Sequence, residues 1–123
     1  MTTDNVSLVR DFCNAFARRD VDEILGYFKE DAVYHNMPMP AMTGKPAIRS
    51  VLEMFLGPAT FAEFEVLNIS ASGDVVLTER IDRFEVGGKK IELPVMGTFE
   101  IAGGKIAAWR DYFDMAAWTR QTS

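Results

Sequence analysis

The sequence predicts a single α+β domain spanning residues 1–123, and three observations carry that prediction. Helix-spaced apolar residues fill the first half of the chain, and strand-length segments fill the second. The strand segments are separated by Ser72-Gly73-Asp74, Gly87-Gly88 and Gly103-Gly104, all suited to hairpin turns. Helices segregated from antiparallel strands imply helices packed on one sheet face. The length of 123 residues allows one core and one modest pocket, with about two-thirds of the unfolded surface buried.

Each element has its own signal. Residues 3–19 read as a helix, because Val9, Phe12, Cys13 and Phe16 follow the i, i+3, i+4, i+7 rule and Thr3, Asp4 or Asn5 can cap it. Asp20 with Glu23 three residues on marks a second short helix near 21–28. Residues 32–37 are a short strand, broken by Pro38 and Pro40. Gly44 leads into a third helix, with Pro46 in its first turn, that runs to about residue 56 and stops at Gly57-Pro58. Segments 61–70, 75–86, 89–101 and 105–113 form an antiparallel meander, followed by a short tail from Asp114.

Composition narrows the function classes. Hydrophobic residues are 48 % and charged residues 25 %, the balance of a soluble globule. A net charge of −5 argues against nucleic acid or an anionic membrane as partner. Cys13 is the only cysteine, so no internal disulfide forms, and with His35 as the only histidine the usual nitrogen-and-sulfur zinc site is ruled out. No phosphate loop, dinucleotide turn or metal-ligand cluster is present in the sequence, so no cofactor is expected. Met1-Thr2-Thr3-Asp4-Asn5 lacks the basic start and apolar run of a signal peptide, and no stretch approaches the roughly 18 apolar residues of a membrane span. A cytoplasmic protein is expected.

Strand alternation sorts the polar residues by face. Tyr34 and Asn36 share one face, with His35 opposite. Val76, Thr78, Arg80, Asp82 and Phe84 share a second, opposite Val75, Leu77, Glu79, Ile81 and Arg83. Ala107, Trp109, Asp111 and Phe113 share a third, opposite Ile106, Ala108, Arg110 and Tyr112. Apolar and charged groups mix on both sides, so the pattern leaves the concave face undecided. Taken singly, Arg80 and Asp82 read as a surface cross-strand ion pair, Asp111 as a polar strand-end residue and Tyr34 as a core aromatic. His35 reads as packed or interfacial, Cys13 as core, and the methionines as filler that would also suit a pocket for an apolar ligand.

Three segments together resemble the limonene-1,2-epoxide hydrolase family, within the nuclear transport factor 2-like, SnoaL-like fold group. They are Tyr34-His35-Asn36-Met37-Pro38, Thr78-Glu79-Arg80-Ile81-Asp82 and Trp109-Arg110-Asp111-Tyr112-Phe113-Asp114, with Pro94-Val95-Met96-Gly97-Thr98-Phe99 similar too. Their order and spacing cover residues 5–118. The resemblance implies a cone-shaped domain, a curved mixed sheet with three to four helices around a deep pocket, and homodimers packed through the convex sheet face. It implies that Tyr34 and Asn36 hold an attacking water, and that Arg80, Asp82 and Asp111 supply the ionisable groups. The short N-terminus departs from members whose extra leading segment covers the pocket, so the resemblance assigns neither pocket closure nor substrate size.

An epoxide ring needs a positioned nucleophile and a proton for the departing oxygen. Two carboxyl groups in opposite protonation states supply both, with Asp111 as base, Asp82 as acid and Arg80 between them. A small apolar epoxide is the expected substrate. Two rival readings fit the same fold. A ketosteroid-isomerase-like or polyketide-cyclase-like enzyme would use Asp111 as base with Tyr34 and Asp82 as donors, and a non-catalytic ligand-binding module would keep the pocket alone. Arg80 beside the acid and Asn36 beside Tyr34 favour water activation.

Overall fold

The computed structural model describes residues 4–123. Helix α1 (Asn5–Ala15) is capped by Asp4, whose side chain accepts from the amides of Val6 and Ser7, and it buries Val9, Phe12, Cys13 and Ala15. The expected helix over 3–19 is therefore shorter. Its last turn tightens into a 3-10 turn (Phe16–Arg18) and ends at Arg19 with φ of 53°, while residue 3 lies outside the described residues. Helix α2 (Val21–Leu25) starts at Asp20, which accepts from the Glu23 amide at 3.2 Å as the capping pattern predicts. It stops three residues before the expected end. Phe28 instead opens strand β1 (Phe28–Asn36), where pairing with Ile106 outweighs its helical spacing from Ile24.

Strand β1 thus starts earlier than the expected residue 32, because Lys29, Glu30 and Asp31 are all exposed and give no alternation to read. Strand β2 (Met42–Thr43) is too short to leave a sequence signal; it pairs with Val33 and Tyr34 of β1. Helix α3 (Lys45–Leu56) has Pro46 in its first turn and buries Ile48, Val51, Leu52 and Leu56. The meander follows as β3 (Ala59–Ser72), β4 (Val75–Val86), β5 (Lys89–Ala102) and β6 (Lys105–Tyr112). Its antiparallel register is continuous from Val75↔Glu100 to Val86↔Lys89 between β4 and β5.

The six strands form one curved mixed sheet in the order β2-β1-β6-β5-β4-β3. The parallel pair is β1 with β6, so the first strand of the chain joins the last. Along β4, Val76, Thr78, Arg80, Asp82 and Phe84 are buried, while Val75, Leu77 and Glu79 are exposed. The Arg80 face is therefore the inner one, and Arg80 with Asp82 is no surface ion pair. The alternation expected along β6 holds at Trp109 and Asp111 but not at Ile106, which is also buried. A register shift between Glu100 and Ile101 places the extra residue there.

The residues after Asp114 are not a tail. Helix α4 (Met115–Thr122) is capped by Asp114, whose Oδ1 accepts from the Ala116 amide at 2.9 Å. No residue of α4 is fully buried, which is why its apolar periodicity is weak. The core lies between the helices and the inner sheet face, and aromatic rings fill its centre. Phe12 meets Phe16, Phe28, Phe99 and Trp109 edge-on at centroid distances of 5.0–5.8 Å. No described helix is long and apolar enough to cross a membrane.

Candidate active site

All five residues singled out in the sequence, Tyr34, Asn36, Arg80, Asp82 and Asp111, are buried; Tyr34, Asn36, Asp82 and Asp111 line one chamber on the inner sheet face, and Arg80 lies between the two aspartates. Arg80 is fully buried and spends all its N–H donors inside the protein. Its Nε and Nη2 donate to Asp82 at 3.0 and 2.9 Å, and its Nη1 and Nη2 donate to Asp111 at 3.2 and 2.8 Å. The remaining Nη1 proton goes to Thr78 Oγ1 at 3.0 Å. The guanidinium is thus a planar bridge between two carboxyl groups, a geometry a point charge cannot reproduce. Its Cζ also sits 4.8 Å from the Phe64 ring centroid.

Arg80 on β4 reaches Asp111 on β6 by passing over β5, and the residue it passes is Gly97. Gly97 pairs with Thr78 on one side and Asp111 on the other. A Cβ there would lie 2.6 Å from Asp111 Oδ1 and collide with Arg80 Nη1. The sequence pattern did not single out Gly97 or Thr78 for the site. A glycine in the middle of a strand, Pro94 to Phe99, was the available signal.

The parallel pairing of β1 and β6 brings the other residues in. Tyr34 pairs with Trp109 and Asn36 with Asp111. Tyr34 stacks on Trp109 at 4.1 Å and 7°. Its hydroxyl donates to Asn36 Oδ1 at 3.2 Å, which leaves the Asn36 amide N–H free to face the cavity. Trp109 Nε1 donates to Asp111 Oδ1 at 2.7 Å. Among the described residues no buried side-chain N or O atom lacks a partner.

Tyr34, Asn36, Asp82 and Asp111 floor a small inner chamber of about 40 Å³ that also touches Phe16, Leu52 and Phe64. The space suffices for a water beside a small reacting group. An outer cavity of about 360 Å³ shares Tyr34, Asn36, Met39, Phe55, Phe84 and Trp118 with it and continues along Met42, Met54 and Ile91. The walls are almost wholly apolar, and charged side chains appear only at the floor, in Asp82 and Asp111. Met39, Met42 and Met54 line the cavity, Met54 at its exposed rim, whereas Met37 lines neither space.

Burial pushes the Asp82 carboxyl up to about 6, with the Asp111 charge adding to it and Arg80 opposing. Burial, with the Asp111 charge adding, raises the Tyr34 phenol far above its ordinary range, so it acts as a neutral hydroxyl. The charges of Asp111 and Asp82 hold Arg80 protonated although burial alone would lower it. Cys13 is buried, its thiol pushed up to about 12 chiefly by burial, and its reading as core holds. His35, opposite Tyr34 and Asn36 on β1, is half-buried and outside the site.

The same chain matches the family model for the limonene-1,2-epoxide hydrolase catalytic domain over residues 3–123. It is 35 % identical over 107 residues to epoxide hydrolase EphG of Mycobacterium tuberculosis, covering 87 % of this chain and 71 % of that one. A solved structure of an M. tuberculosis epoxide hydrolase of this kind superposes with a TM-score of 0.83 at 31 % identity, covering 95 % of this chain and 87 % of that one. A protein from Shewanella putrefaciens described as a SnoaL-like polyketide cyclase superposes with a TM-score of 0.86 over 98 % of this chain and 97 % of its own. Its identity is 14 %, so that likeness speaks to the fold alone. The full-length family match and the M. tuberculosis relatives establish that this chain belongs to the limonene-1,2-epoxide hydrolase family.

Proposed function

We propose that this protein hydrolyses an apolar epoxide to a vicinal diol by direct attack of water, without a cofactor. The observation that carries the reading is the arginine bridge. Two buried carboxyl groups share Arg80, and both face the same small chamber as Tyr34 and Asn36. Arg80 balances one negative charge well and two less well, so the pair favours one proton between them. Asp111 takes the ionised role and Asp82, whose carboxyl is raised to about 6, takes the acid role.

In the reaction, water held by the Asn36 amide, the Tyr34 hydroxyl and Asp111 attacks one ring carbon. As the new C–O bond forms, that water gives a proton to Asp111. The strained C–O bond of the ring breaks, and its oxygen takes the proton of Asp82. The diol leaves with Asp111 protonated and Asp82 ionised, and proton exchange with solvent restores the pair. Fixing the water removes much of the entropic cost of a termolecular step.

Homodimerisation through the outer sheet face is part of the proposal. Leu67, Met96 and Tyr112 are 46–53 % exposed and share a shallow surface there with Ile81 and Pro94, and the exposed Leu77 lies on the same outer face of β4. Charge networks flank it, with Arg83 bound to Glu63, Glu65 and Glu92, and Arg110 bound to Glu100. Light scattering should give twice the chain mass, and Met96→Glu should return it to monomer. A persistent monomer sinks this element.

The test of the chemistry begins with a panel of terpene, cycloalkene and styrene oxides and chiral analysis of the diols. Turnover should survive dialysis against a chelator. A single turnover with excess enzyme in heavy-oxygen water should place the label in the diol and in no carboxylate. A labelled Asp111 peptide would mean an ester intermediate and defeat direct attack. Isomerisation of a ketone without epoxide turnover would favour the proton-transfer reading.

A further inference from the structure

Arg80 treats its two carboxyl partners alike. Each receives two of its hydrogen bonds, at 3.0 and 2.9 Å for Asp82 and at 3.2 and 2.8 Å for Asp111. A bridge so symmetric does not by itself decide which carboxyl carries the proton. The asymmetry enters from β6. Trp109 Nε1 donates to Asp111 Oδ1 at 2.7 Å, and Asp82 has no counterpart among the described residues. We infer that Trp109 is a positioning residue that sets the polarity of the pair, fixing Asp111 as the base and Asp82 as the acid. The inference rests on the water-activation reading above and assigns the residue that orders its two protons.

The chemistry of the indole explains the direction. Its N–H is a donor with no acceptor lone pair, so it can bond a carboxylate but cannot receive a proton from a carboxylic acid. Asp111 therefore faces three N–H donors, two from Arg80 and one from Trp109, against two for Asp82. Each added donor favours the ionised form of the group it meets. The donors to Asp111 leave Oδ2 with one open acceptor position, the one a water in the chamber would use. Among the described residues Asp82 bonds only Arg80, and the other positions of its carboxyl can carry a proton toward the chamber.

The indole cannot turn away from this duty. It is fully buried, stacked on Tyr34 at 4.1 Å on one face and on Phe99 at 5.7 Å and 14° on the other. Phe12 meets it edge-on at 5.0 Å. Alternation along β6 puts Trp109 and Asp111 on the same face, so the bond is built into a Trp-x-Asp strand. The charged and titratable groups facing Asp111 are Arg80 and Asp82 from β4, Tyr34 from β1 and Cys13 from α1. Arg110 of its own strand bonds Glu100 on the outer face.

The test replaces one atom. Trp109 is exchanged for its benzothienyl analogue, in which sulfur takes the place of the N–H, alongside Trp109→Phe and the 7-azaindole analogue, which keeps the donor. In the benzothienyl protein kcat should fall about tenfold to a hundredfold with KM within about twofold, the size of a lost charge-assisted bond. The acid limb of its pH–rate profile should move to higher pH, and the 7-azaindole protein should restore both. Loss of packing alone would lower stability without moving that limb. Aspartate carboxyl carbons labelled with carbon-13, assigned with Asp82→Asn and Asp111→Asn, read the proton directly. The wild type should hold it on Asp82, and the benzothienyl protein should share it with Asp111. An unchanged carbon titration, or an unmoved pH profile, overturns the inference. A wild type that turns over no epoxide, but whose proton sits on Asp82 and moves toward Asp111 in the benzothienyl protein, would uphold the inference and defeat the hydrolase reading instead.

Discussion

Gly97 has no side chain to do chemistry, yet the bridge depends on it. Any Cβ there would enter the space of Arg80 and Asp111, both buried and paired. Gly97→Ala should cost about 3 kcal/mol of stability, through overpacking and a disturbed buried ion pair, and lower kcat/KM by at least about a hundredfold. Urea unfolding with parallel kinetics checks both. Arg80→Lys tests the bridge from the other side. An ammonium cannot present two parallel donors to each of two carboxyl groups, so activity should fall by more than about a hundredfold. At this scale the sequence was legible in pieces. Tyr34, Asn36, Arg80, Asp82 and Asp111 could be named through the family pattern, and their sharing of faces through alternation. That Arg80 and Asp82 are buried could not be read, since alternation does not say which face is concave. Gly97 and Thr78 act only through neighbours on other strands, and register is not written in a local pattern.

At the scale of elements, β6 organises the site. It presents Trp109 and Asp111 inward, meets β5 antiparallel and accepts β1 in parallel. The hairpin glycines announced β3 to β6 because positive φ, such as 59° at Gly73 and 58° at Gly87, demands such residues. Helix α4 was illegible because it buries little, yet it closes the cavity with Met115, Trp118 and Thr122. Its hold on the sheet is specific. The Gln121 amide accepts from the Glu92 backbone N–H at 2.7 Å and donates to the Glu92 carbonyl at 2.9 Å, as a neighbouring strand would. Lys89 Nζ adds a bond to the Ser123 carbonyl at 2.7 Å, near the negative end of the helix. Gln121→Ala should therefore loosen α4 without touching the carboxyl pair. KM for an apolar substrate should rise severalfold with kcat nearly kept, and amide exchange at Glu92 should accelerate. Slow exchange at Glu92 in the variant would show that the latch lies elsewhere.

Over the whole molecule, the α+β class followed from the order of patterns, while the mixed sheet came only from family resemblance, because a parallel pairing of first and last strands leaves no mark in either. The arrangement that makes the site also makes the fold sensitive to pH. Asp82 has a carboxyl raised to about 6 when folded, against an ordinary value of 3.8. Between those values the folded chain binds more protons than the unfolded one, so stability falls as pH rises. The contribution is fully present below about pH 3.8 and is lost as pH passes about 6. It amounts to a few kcal/mol, because the carboxyl is buried and solvent screens it little. Asp82→Asn cannot ionise and should abolish this component. The stability of the variant relative to the wild type should therefore climb by a few kcal/mol between about pH 4 and pH 7, level thereafter, in urea unfolding at matched ionic strength. Turnover by the wild type should decline over the same upper window, because the acid form of Asp82 disappears as pH rises through about 6. A stability difference that stays flat across that range would mean that Asp82 does not carry the proton, and a different group would have to protonate the leaving oxygen.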